Sequence, residues 1–229
     1  MKTLHAPEKG FASLINSMNL PVPKGPLQGM RWLLLSGGKL LRVLEGSYEP
    51  EQTQCFIDEI PAHGVLFDIG SHVGWYTLLT AKIVSRGKVV AFEASPRNYW
   101  FLSQHVARNR LNNVTTVHKG VAEKAGVMFF EAGKGSGTGR LSDAGSVQVP
   151  TVSVDEYIAQ KGITPTHLKI DVEGGEMAVL KGARQLLETR GPLIFLSTHG
   201  KEIKQECIDY LAGLGYQFEV MNEGKNLDG

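Results

Sequence analysis

The stretch VLFDIGSHVGWYT, residues 65–77, decides the fold of this 229-residue chain. It runs from an apolar segment through the acidic residue Asp68 into a turn that holds Gly70 and Gly74, and then into an amphipathic segment that starts at Trp75. A buried strand, a glycine turn and a helix in this order are typical of α/β proteins whose ligand lies outside the carboxyl ends of parallel strands. The residues that directly follow each strand are therefore the first candidates for a functional site.

The spacing of the glycines does not match two common nucleotide-binding motifs. A dinucleotide fingerprint that began at Gly70 would need glycines where His72 and Trp75 stand, and no GK[ST] of a phosphate-binding loop follows. An acidic residue two positions before the first glycine repels phosphate, but it suits a ligand that carries an ammonium or a sulfonium group. The arrangement favours S-adenosylmethionine over NAD or ATP, which makes a NAD oxidoreductase a poor alternative.

Composition and charge narrow the class of protein further. Hydrophobic residues at 42%, charged residues at 21% and a net charge of +1 describe an ordinary globular chain without an overall field for nucleic acid or an anionic membrane. No apolar run approaches the roughly 20 residues that span a bilayer, and His5 and Pro7 interrupt the place where a signal peptide would need an apolar core. Cys55 and Cys207 lack partners at metal-ligand spacing. We therefore expect a cytoplasmic protein without an integral membrane segment, a disulfide or a zinc site.

Short apolar runs and amphipathic segments alternate from residue 64 onward. This alternation predicts a Rossmann-like α/β fold, with a mostly parallel sheet and helices on both faces. The predicted buried strands cover residues 65–69, 88–92, 114–117, 167–170 and 193–197, and the predicted helices cover residues 75–84, 98–110, 176–188 and 201–211. Residues 127–131 and 147–154 are expected to form an additional strand pair, and residues 216–221 a last strand.

The beginning of the chain has a different pattern. We divide the chain into a small N-terminal extension or cap, residues 1–60, and a main domain, residues 61–229. Within the extension, residues 39–45 alternate like a short strand and residues 48–60 carry a helix pattern. A glycine-rich loop, residues 133–145, joins the additional strand pair. We expect the extension and this loop to act as lids over the strand ends.

The second strand of the main domain ends in another acidic residue, Glu93. A carboxylate at the tip of the strand beside the glycine turn can accept hydrogen bonds from both hydroxyls of a ribose. Because NAD enzymes share this device, Glu93 does not discriminate by itself. Together with Asp68 and the missing phosphate motif, it indicates an adenosyl ligand without phosphates.

Three motifs carry a resemblance to a known family. They are DIGSHVGWYT (residues 68–77), FEASP (92–96), and LKIDVEGGEMAVLKGA (168–183) with a downstream THG (198–200). Over about residues 46–216 the chain resembles the FkbM family of S-adenosylmethionine-dependent methyltransferases, which commonly has GAN where this chain has GSH. The resemblance implies a class I methyltransferase fold and methyl transfer, usually to a hydroxyl of a sugar, polyketide or other secondary metabolite. The family's last strand normally returns antiparallel, and here it is expected to be short, missing or replaced by residues 39–45.

The resemblance also implies the residues of the cofactor site. Those on the methionine side are Asp68, Gly70, Ser71 and Gly74, the ribose contact is Glu93, and the adenosine and adenine pocket has Ala94, Ser95, Val121 and Ala122. Asp171 ends the fourth strand and would touch both the cofactor and the acceptor.

Methyl transfer to an alcohol benefits from a base within reach of the hydroxyl proton. The candidates are His199 after the fifth strand, Asp171, and His72 in the glycine turn. His199 has the most suitable ordinary pKa. Asp171 with Glu173 could contribute to a magnesium site, but no third carboxylate or asparagine stands at the end of the fifth strand. We therefore expect a metal-independent mechanism.

The leading hypothesis is an O-methyltransferase that acts on a hydroxylated small molecule and binds no nucleic acid; whether it forms a homo-oligomer is left open. Methylation of a nucleic acid or a protein is a weaker alternative, because no basic surface with interleaved aromatic residues is evident. A non-catalytic module that binds an adenosyl ligand is the alternative from another class of protein. Binding of the cofactor without methyl transfer to any alcohol would favour that module.

Overall fold

The structure is a computed structural model that describes residues 19–37, 39–131, 139–142, 145 and 147–221. The sequence features at His5 and Pro7, most of the glycine-rich loop, and the chain after residue 221 lie outside the described residues. Across the described ranges, no helix is both long enough and apolar enough to cross a membrane.

The described part of the chain alternates strands and helices. Its strands are β1 Asn19–Pro21, β2 Arg31–Leu33, β3 Val65–Ile69, β4 Lys88–Phe92, β5 Val114–Val117, β6 Gly120–Val121, β7 Gly126–Glu131, β8 Arg140–Ser142, β9 Val147–Val152, β10 His167–Ile170 and β11 Leu193–Leu196. Its α-helices are α1 Leu40–Glu45, α2 Pro50–Glu59, α3 Trp75–Ile83, α4 Pro96–Arg108, α5 Val154–Lys161, α6 Glu176–Lys181, α7 Arg184–Arg190 and α8 Lys201–Gly213.

The main sheet has the strand order β11-β10-β3-β4-β5, and every neighbouring pair in it is parallel. From β3 the chain moves outward to β4 and β5, and it returns on the other side of β3 to form β10 and β11. The point where the direction reverses leaves a crevice at the carboxyl ends of β3 and β10, which is where open α/β sheets bind their ligands. The register places Asp68 on β3 beside Lys169 on β10.

Side chains that alternate along β3 enter two separate cores. Leu66 packs in a cluster with residues of α2 and α3, whereas Phe67 and Ile69 pack with residues of α5 to α8 on the opposite face. A strand that is buried on both faces reads as a continuous apolar run, which is what the sequence shows. The predicted Rossmann-like sheet with helices on both faces is therefore confirmed.

The N-terminal extension packs into the first of these cores from residue 19 onward. Trp32 stacks on His105 of α4 with 4.2 Å between ring centroids, and Phe56 stacks on Phe195 of β11 at 4.0 Å. His105 also accepts a hydrogen bond from the Leu33 backbone N–H (3.0 Å), and burial lowers the pKa of this imidazole to about 4. The extension thus contributes large buried rings to the main domain, and the division of the chain at residue 60 stays a prediction.

A smaller sheet of order β6-β9-β7-β8 stands beside the main one. It contains the predicted additional strand pair, since β7 pairs antiparallel with β9. The second predicted strand, residues 147–154, extends two residues beyond the end of β9, because Ser153 and Glu156 form a capping box that starts α5. The sequence S-V-D-E at residues 153–156 was a readable signal for this helix, which the sequence analysis missed together with β6 and β8.

Two of the predicted strands are wrong. Residues 40–45 form the helix α1, because apolar residues at positions 40, 43 and 44 have helical spacing and Gly46 ends the helix in the left-handed conformation. Residues 216–221 form no strand, and Phe218 and Val220 are exposed. Alternation alone does not distinguish a strand from an extended segment without a partner.

The predicted helix over residues 176–188 is divided into α6 and α7 at Gly182 and Ala183. A Cβ atom at Gly182 would lie 2.3 Å from the carbonyl oxygen of Ala122. This close approach seats the helices against the end of β6 and explains why the periodicity continues while the helix does not.

Candidate functional site

A cavity of about 650 Å³ opens at the carboxyl ends of the main sheet. Three parts of the chain form its wall. The strands of the main sheet and the turns that follow them contribute Gly70, Ser71, His72, Glu93, Ala94, Lys169, Asp171, Glu173 and His199. The extension contributes Lys39, Tyr48 and Glu49, and the smaller sheet contributes Gly120, Val121, Phe130, Arg140 and Leu141. Residues of the two predicted lids, the extension and the region of the glycine-rich loop, therefore border this cavity. Their movement as lids stays a prediction.

Gly70 brings the ends of β3 and β10 into contact. It has φ 77°, and a Cβ atom there would lie 1.9 Å from the carbonyl oxygen of Asp171. The backbone N–H groups of Gly70 and Ser71 both donate to the carbonyl of Phe92 at 3.0 Å, which ties the turn to β4 as well. Gly74, with φ 100°, stands at the start of α3, where a Cβ atom would lie 2.7 Å from Leu102. Gly74 thus supports helix packing, and it does not line the cavity.

Substituting Gly70 is expected to be far more costly than substituting a glycine in open space. Gly70→Ala should lower the free energy of unfolding by about 2–4 kcal/mol, because a left-handed alanine adds to a clash with backbone. Gly162→Ala is the matched control: Gly162 has φ 66° with nothing within 4 Å of the added Cβ atom, so it should lose only about 1 kcal/mol. Urea unfolding of both variants measures the difference, and equal losses would contradict the proposed contact between β3 and β10.

Glu93 is fixed in the wall of the cavity by two backbone groups. Its side chain accepts hydrogen bonds from the N–H of His72 (2.7 Å) and from the N–H of Ser95 (2.8 Å). Burial raises the pKa of Glu93 to about 7 although these two bonds oppose the shift. Each carboxylate oxygen keeps a lone pair for a further donor, so a pair of neighbouring hydroxyls is a suitable partner.

Asp68 lies behind the cavity wall. It is completely buried, accepts a hydrogen bond from the Thr77 hydroxyl (2.5 Å) and pairs with Lys169 at 3.6 Å. Asp68 is not among the residues that line the cavity, and its contact with the methionine side of the cofactor stays a prediction. Asp68 instead helps to hold the ends of β3 and β10 together.

Lys169 is a buried cation that the sequence analysis did not assign. Its ammonium donates to the carbonyl of Gly70 (2.9 Å) and lies 3.4 Å from Asp171, in addition to its pair with Asp68. Burial alone would lower the pKa of Lys169, but Asp171 and Asp68 outweigh it, so the pKa is raised and the side chain stays charged. A lysine in the middle of the buried run HLKI was the available signal, since lysine is almost never buried without a partner.

Four residues at the β10–β11 edge form what we call the carboxylate–histidine cluster: Asp171, Glu173, Glu176 and His199. His199 donates from Nδ1 to Glu176 (2.9 Å), and its Nε2 lies 3.7 Å from Asp171 and 3.5 Å from Glu173. The hydrogen bond to Glu176 raises the pKa of His199, partial burial opposes this, and the carboxylates of Glu173 and Asp171 add to it. The structure therefore brings together two of the predicted catalytic residues, Asp171 and His199, and adds two acidic neighbours.

The third candidate, His72, lies elsewhere. It adopts φ 52° in the glycine turn, where its backbone N–H holds Glu93. His72 borders the same cavity as His199 and Asp171. A catalytic role for His72 stays a prediction.

The adenosine-side residues divide into two groups. Ala94 and Val121 line the cavity, whereas Ser95 caps α4 by accepting a hydrogen bond from the backbone N–H of Asn98 (3.4 Å). The N–H of Ala122 donates to the carbonyl of Val152 (3.1 Å), so it is not available to an adenine ring. Apolar residues that the sequence analysis missed, Phe130 and Leu141, complete this side of the cavity.

The polar groups of the cavity fit an adenosyl ligand with a positive charge and no phosphate. Glu93 and the carboxylate–histidine cluster would repel a phosphate placed beside them, while the two fixed oxygens of Glu93 suit ribose hydroxyls. The parallel sheet with its ligand crevice at β3 and β10 is the fold of the class I methyltransferases. Methyltransferase FkbM from Methylobacillus flagellatus KT shares it with a TM-score of 0.54 at 19% identity, over 76% of this chain and 46% of that chain. Precorrin-6y C5,15-methyltransferase from Geobacter metallireducens GS-15 shares it with a TM-score of 0.50 at 16% identity, over 75% and 74%.

The chain belongs to the methyltransferase FkbM domain family, whose family model matches residues 68–218. The methyl donor of this class is S-adenosylmethionine. Among curated relatives, hexuronic acid methyltransferase AglP from Haloferax volcanii is 27% identical over an alignment of 162 residues, which covers 69% of this chain and 66% of the relative. Methyltransferase sdnD from Sordaria araneosa is 25% identical over an alignment of 162 residues, which covers 55% of this chain and 62% of the relative. The chain thus spans slightly less than two thirds of the length of these relatives.

Proposed function

We propose that the protein methylates a hydroxyl group of a sugar or a sugar acid. The observation that carries the proposal is the position of His199 Nε2 at the edge of the cavity, 3.7 Å from Asp171 and 3.5 Å from Glu173. A hydroxyl bound beside these groups would have proton acceptors within hydrogen-bond reach. The hexuronic acid specificity in the name of the relative AglP supports a sugar acid as the acceptor.

The order of the strands supports a matching arrangement of donor and acceptor. Glu93 follows β4, Gly70 follows β3 and Asp171 follows β10, and these strands are neighbours in that order. A cofactor whose ribose is bound by Glu93 would extend along the glycine turn toward Asp171. S-adenosylmethionine supplies a methyl carbon on a positively charged sulfur, and the task of the cluster is to align the hydroxyl and take up its proton.

Basic side chains on the cavity wall support an acceptor with a negative charge. Lys39 of the extension and Lys119 and Arg140 near the smaller sheet all line the cavity. Arg140 is already paired with Glu131 at 3.3 Å, whereas the ammonium of Lys39 lies over the ring of Tyr48, 5.7 Å from its centroid. Lys39 is therefore our candidate for the residue that recognises the carboxylate of a sugar acid.

The test is a methylation assay with an alkyl glucuronide and the matching alkyl glucoside. We expect an alkali-stable methyl ether on the glucuronide, and His199→Gln should lower kcat about 10²–10⁴-fold, the range for loss of a general acid or base. Affinity for S-adenosylhomocysteine should be unchanged in that variant. His63→Gln, at a histidine before β3 that does not line the cavity, is the control.

Three outcomes would each contradict a part of this proposal. A folded protein that binds S-adenosylhomocysteine and methylates neither glycoside would exclude the acceptor class and favour a non-catalytic module. The role of Lys39 would be contradicted if the ratio of kcat/KM for the glucuronide to kcat/KM for the glucoside were the same in Lys39→Gln as in the wild type. Lys24→Gln, at an exposed lysine, is the control for this comparison. An alkali-labile methyl ester would replace the hydroxyl by the carboxylate as the methylated group.

A cytoplasmic location is also part of the proposal. Its support is that Cys55 and Cys207 are both free thiols, as expected in a reducing compartment. Fractionation of cells that produce the full-length protein tests the location, and recovery with an exported fraction would contradict it. Homo-oligomerisation and the absence of a nucleic-acid partner stay predictions.

A further inference from the structure

We propose that Asp171, Glu173 and His199 together bind one divalent cation of the Mn²⁺ type. Each of the three side chains offers one ligand atom, and these atoms lie within 4.8 Å of one another. Two carboxylates and an imidazole are a ligand set of first-row divalent metals. The imidazole nitrogen favours Mn²⁺ over Mg²⁺, which prefers oxygen ligands.

The distances fit ligands that share one ion. Two ligand atoms at about 2.1–2.2 Å from a metal lie roughly 3.0–3.6 Å apart when they take neighbouring coordination positions. His199 Nε2 is 3.5 Å from the Glu173 oxygen and 3.7 Å from the Asp171 oxygen. These two distances are within a few tenths of an ångström of that range, and the ligand atoms of Asp171 and Glu173 lie within 4.8 Å of each other.

Glu176 provides an independent observation that points into this site. Its side chain has no exposed surface, and it holds Nδ1 of His199 at 2.9 Å, which leaves Nε2 directed at the other two carboxylates. A carboxylate on the far nitrogen is the arrangement by which proteins orient histidines that bind metals. Oε1 of Glu176 also accepts a hydrogen bond from the backbone N–H of Gly174 (3.1 Å), and its other oxygen, Oε2, is buried without a hydrogen-bond partner.

The charges around the cluster are also unbalanced. The connected ion pairs join the carboxylates Asp68, Asp171, Glu173 and Glu176 to the cations Lys169 and His199. A histidine that binds a metal is neutral, so with the carboxylates ionised and Lys169 charged three negative charges remain in a partly buried place where they repel each other. One divalent cation offsets two of them.

The site is open on the side where an acceptor would bind. The side chains of Asp171, Glu173 and His199 are 35%, 28% and 37% exposed and face the cavity. An ion there would keep free coordination positions, and a hydroxyl bound to it loses its proton more readily. This catalytic consequence rests on the proposed function, but the binding of the ion does not. From the sequence, we expected a metal-independent mechanism because no third carboxylate or asparagine follows the fifth strand. In the present proposal the third ligand is the imidazole of His199.

The test is the binding of Mn²⁺ to the full-length protein, followed by the loss of the electron paramagnetic resonance signal of free Mn²⁺. We expect one site in the wild type, and at least tenfold weaker binding in each of Asp171→Asn, Glu173→Gln and His199→Gln. Glu176→Gln should weaken binding about 10–100-fold, as expected for a residue that orients a ligand. Glu188→Gln, at an exposed carboxylate on α7, should bind Mn²⁺ like the wild type.

Three results would overturn the inference, provided that circular dichroism shows the variants to be folded. The first is wild-type binding no tighter than that of His199→Gln. The second is Mn²⁺ binding by Asp171→Asn and Glu173→Gln as tight as by the wild type, because the ion would then lie elsewhere. The third is methylation of a glycoside by a protein that binds no Mn²⁺, which would retain the proposed function and remove the cation site.

Discussion

Replacing Lys169 by methionine is expected to lower the free energy of unfolding by about 3–5 kcal/mol, the cost of breaking a buried ion pair from one side. The methionine fills a similar volume but leaves Asp68, which has no exposed surface, without its cation. It also removes the hydrogen bond to the carbonyl of Gly70. Urea denaturation followed by circular dichroism measures the loss.

Two further variants make the Lys169 experiment specific. Lys181→Met, at an exposed lysine on α6, should change the free energy of unfolding by less than about 0.5 kcal/mol. Asp68→Asn should recover part of the loss when it is added to Lys169→Met, because the uncompensated charge is then gone. A loss in Lys169→Met no larger than that of Lys181→Met would contradict the structural role of the pair.

Glu93→Ala is expected to weaken binding of S-adenosylhomocysteine about 100-fold or more, because hydrogen bonds to a charged group contribute about 1.5–3 kcal/mol each and two ribose hydroxyls would lose them. Calorimetric titration at pH 8 measures the change. Glu188→Ala removes an exposed carboxylate and should leave the affinity unaltered. An affinity in Glu93→Ala within threefold of the wild type would exclude Glu93 as the ribose contact.

The carboxylate of Glu93 also predicts that the affinity for S-adenosylhomocysteine depends on pH. With a pKa of about 7, Glu93 is ionised above neutral pH and becomes protonated as the pH falls, and the protonated form has less capacity to accept hydrogen bonds from hydroxyls. Affinity should therefore be roughly tenfold lower at pH 6 than at pH 8 if only the ionised form binds. Glu93→Ala should show no such decrease, and a flat profile in the wild type would contradict the assignment.

The parts of the fold that could be predicted are those in which neighbouring residues along the chain determine the local structure. The strand, turn and helix around Gly70 could be recognised because burial on both faces of β3 requires a continuous apolar run and the turn requires glycine. The short helix α1 was mistaken for a strand because six residues carry both periodicities almost equally well. The capping box of Ser153 and Glu156 is a local signal for the start of α5. It was missed because the apolar residues before it continue the pattern of a strand.

The candidate site was predictable only where one residue carries one role. Glu93 could be assigned from its place at the end of a strand, and the structure adds the two backbone groups that fix it. The pairing of Asp68 with Lys169 and the contact of His199 with Glu176 join different elements, so residue spacing gave no sign of them. Consequently, Asp68 was expected in the cavity, and His199 was considered as an isolated base instead of a member of an acidic cluster.

The most direct test of the account is a calorimetric titration of the folded protein with S-adenosylhomocysteine, with NADH as the competing ligand class. We predict micromolar binding of S-adenosylhomocysteine, no binding of NADH, and loss of the signal in Glu93→Ala. Failure of the folded wild type to bind S-adenosylhomocysteine, or equal binding of NADH, would contradict the assignment of this cavity to the methyl donor.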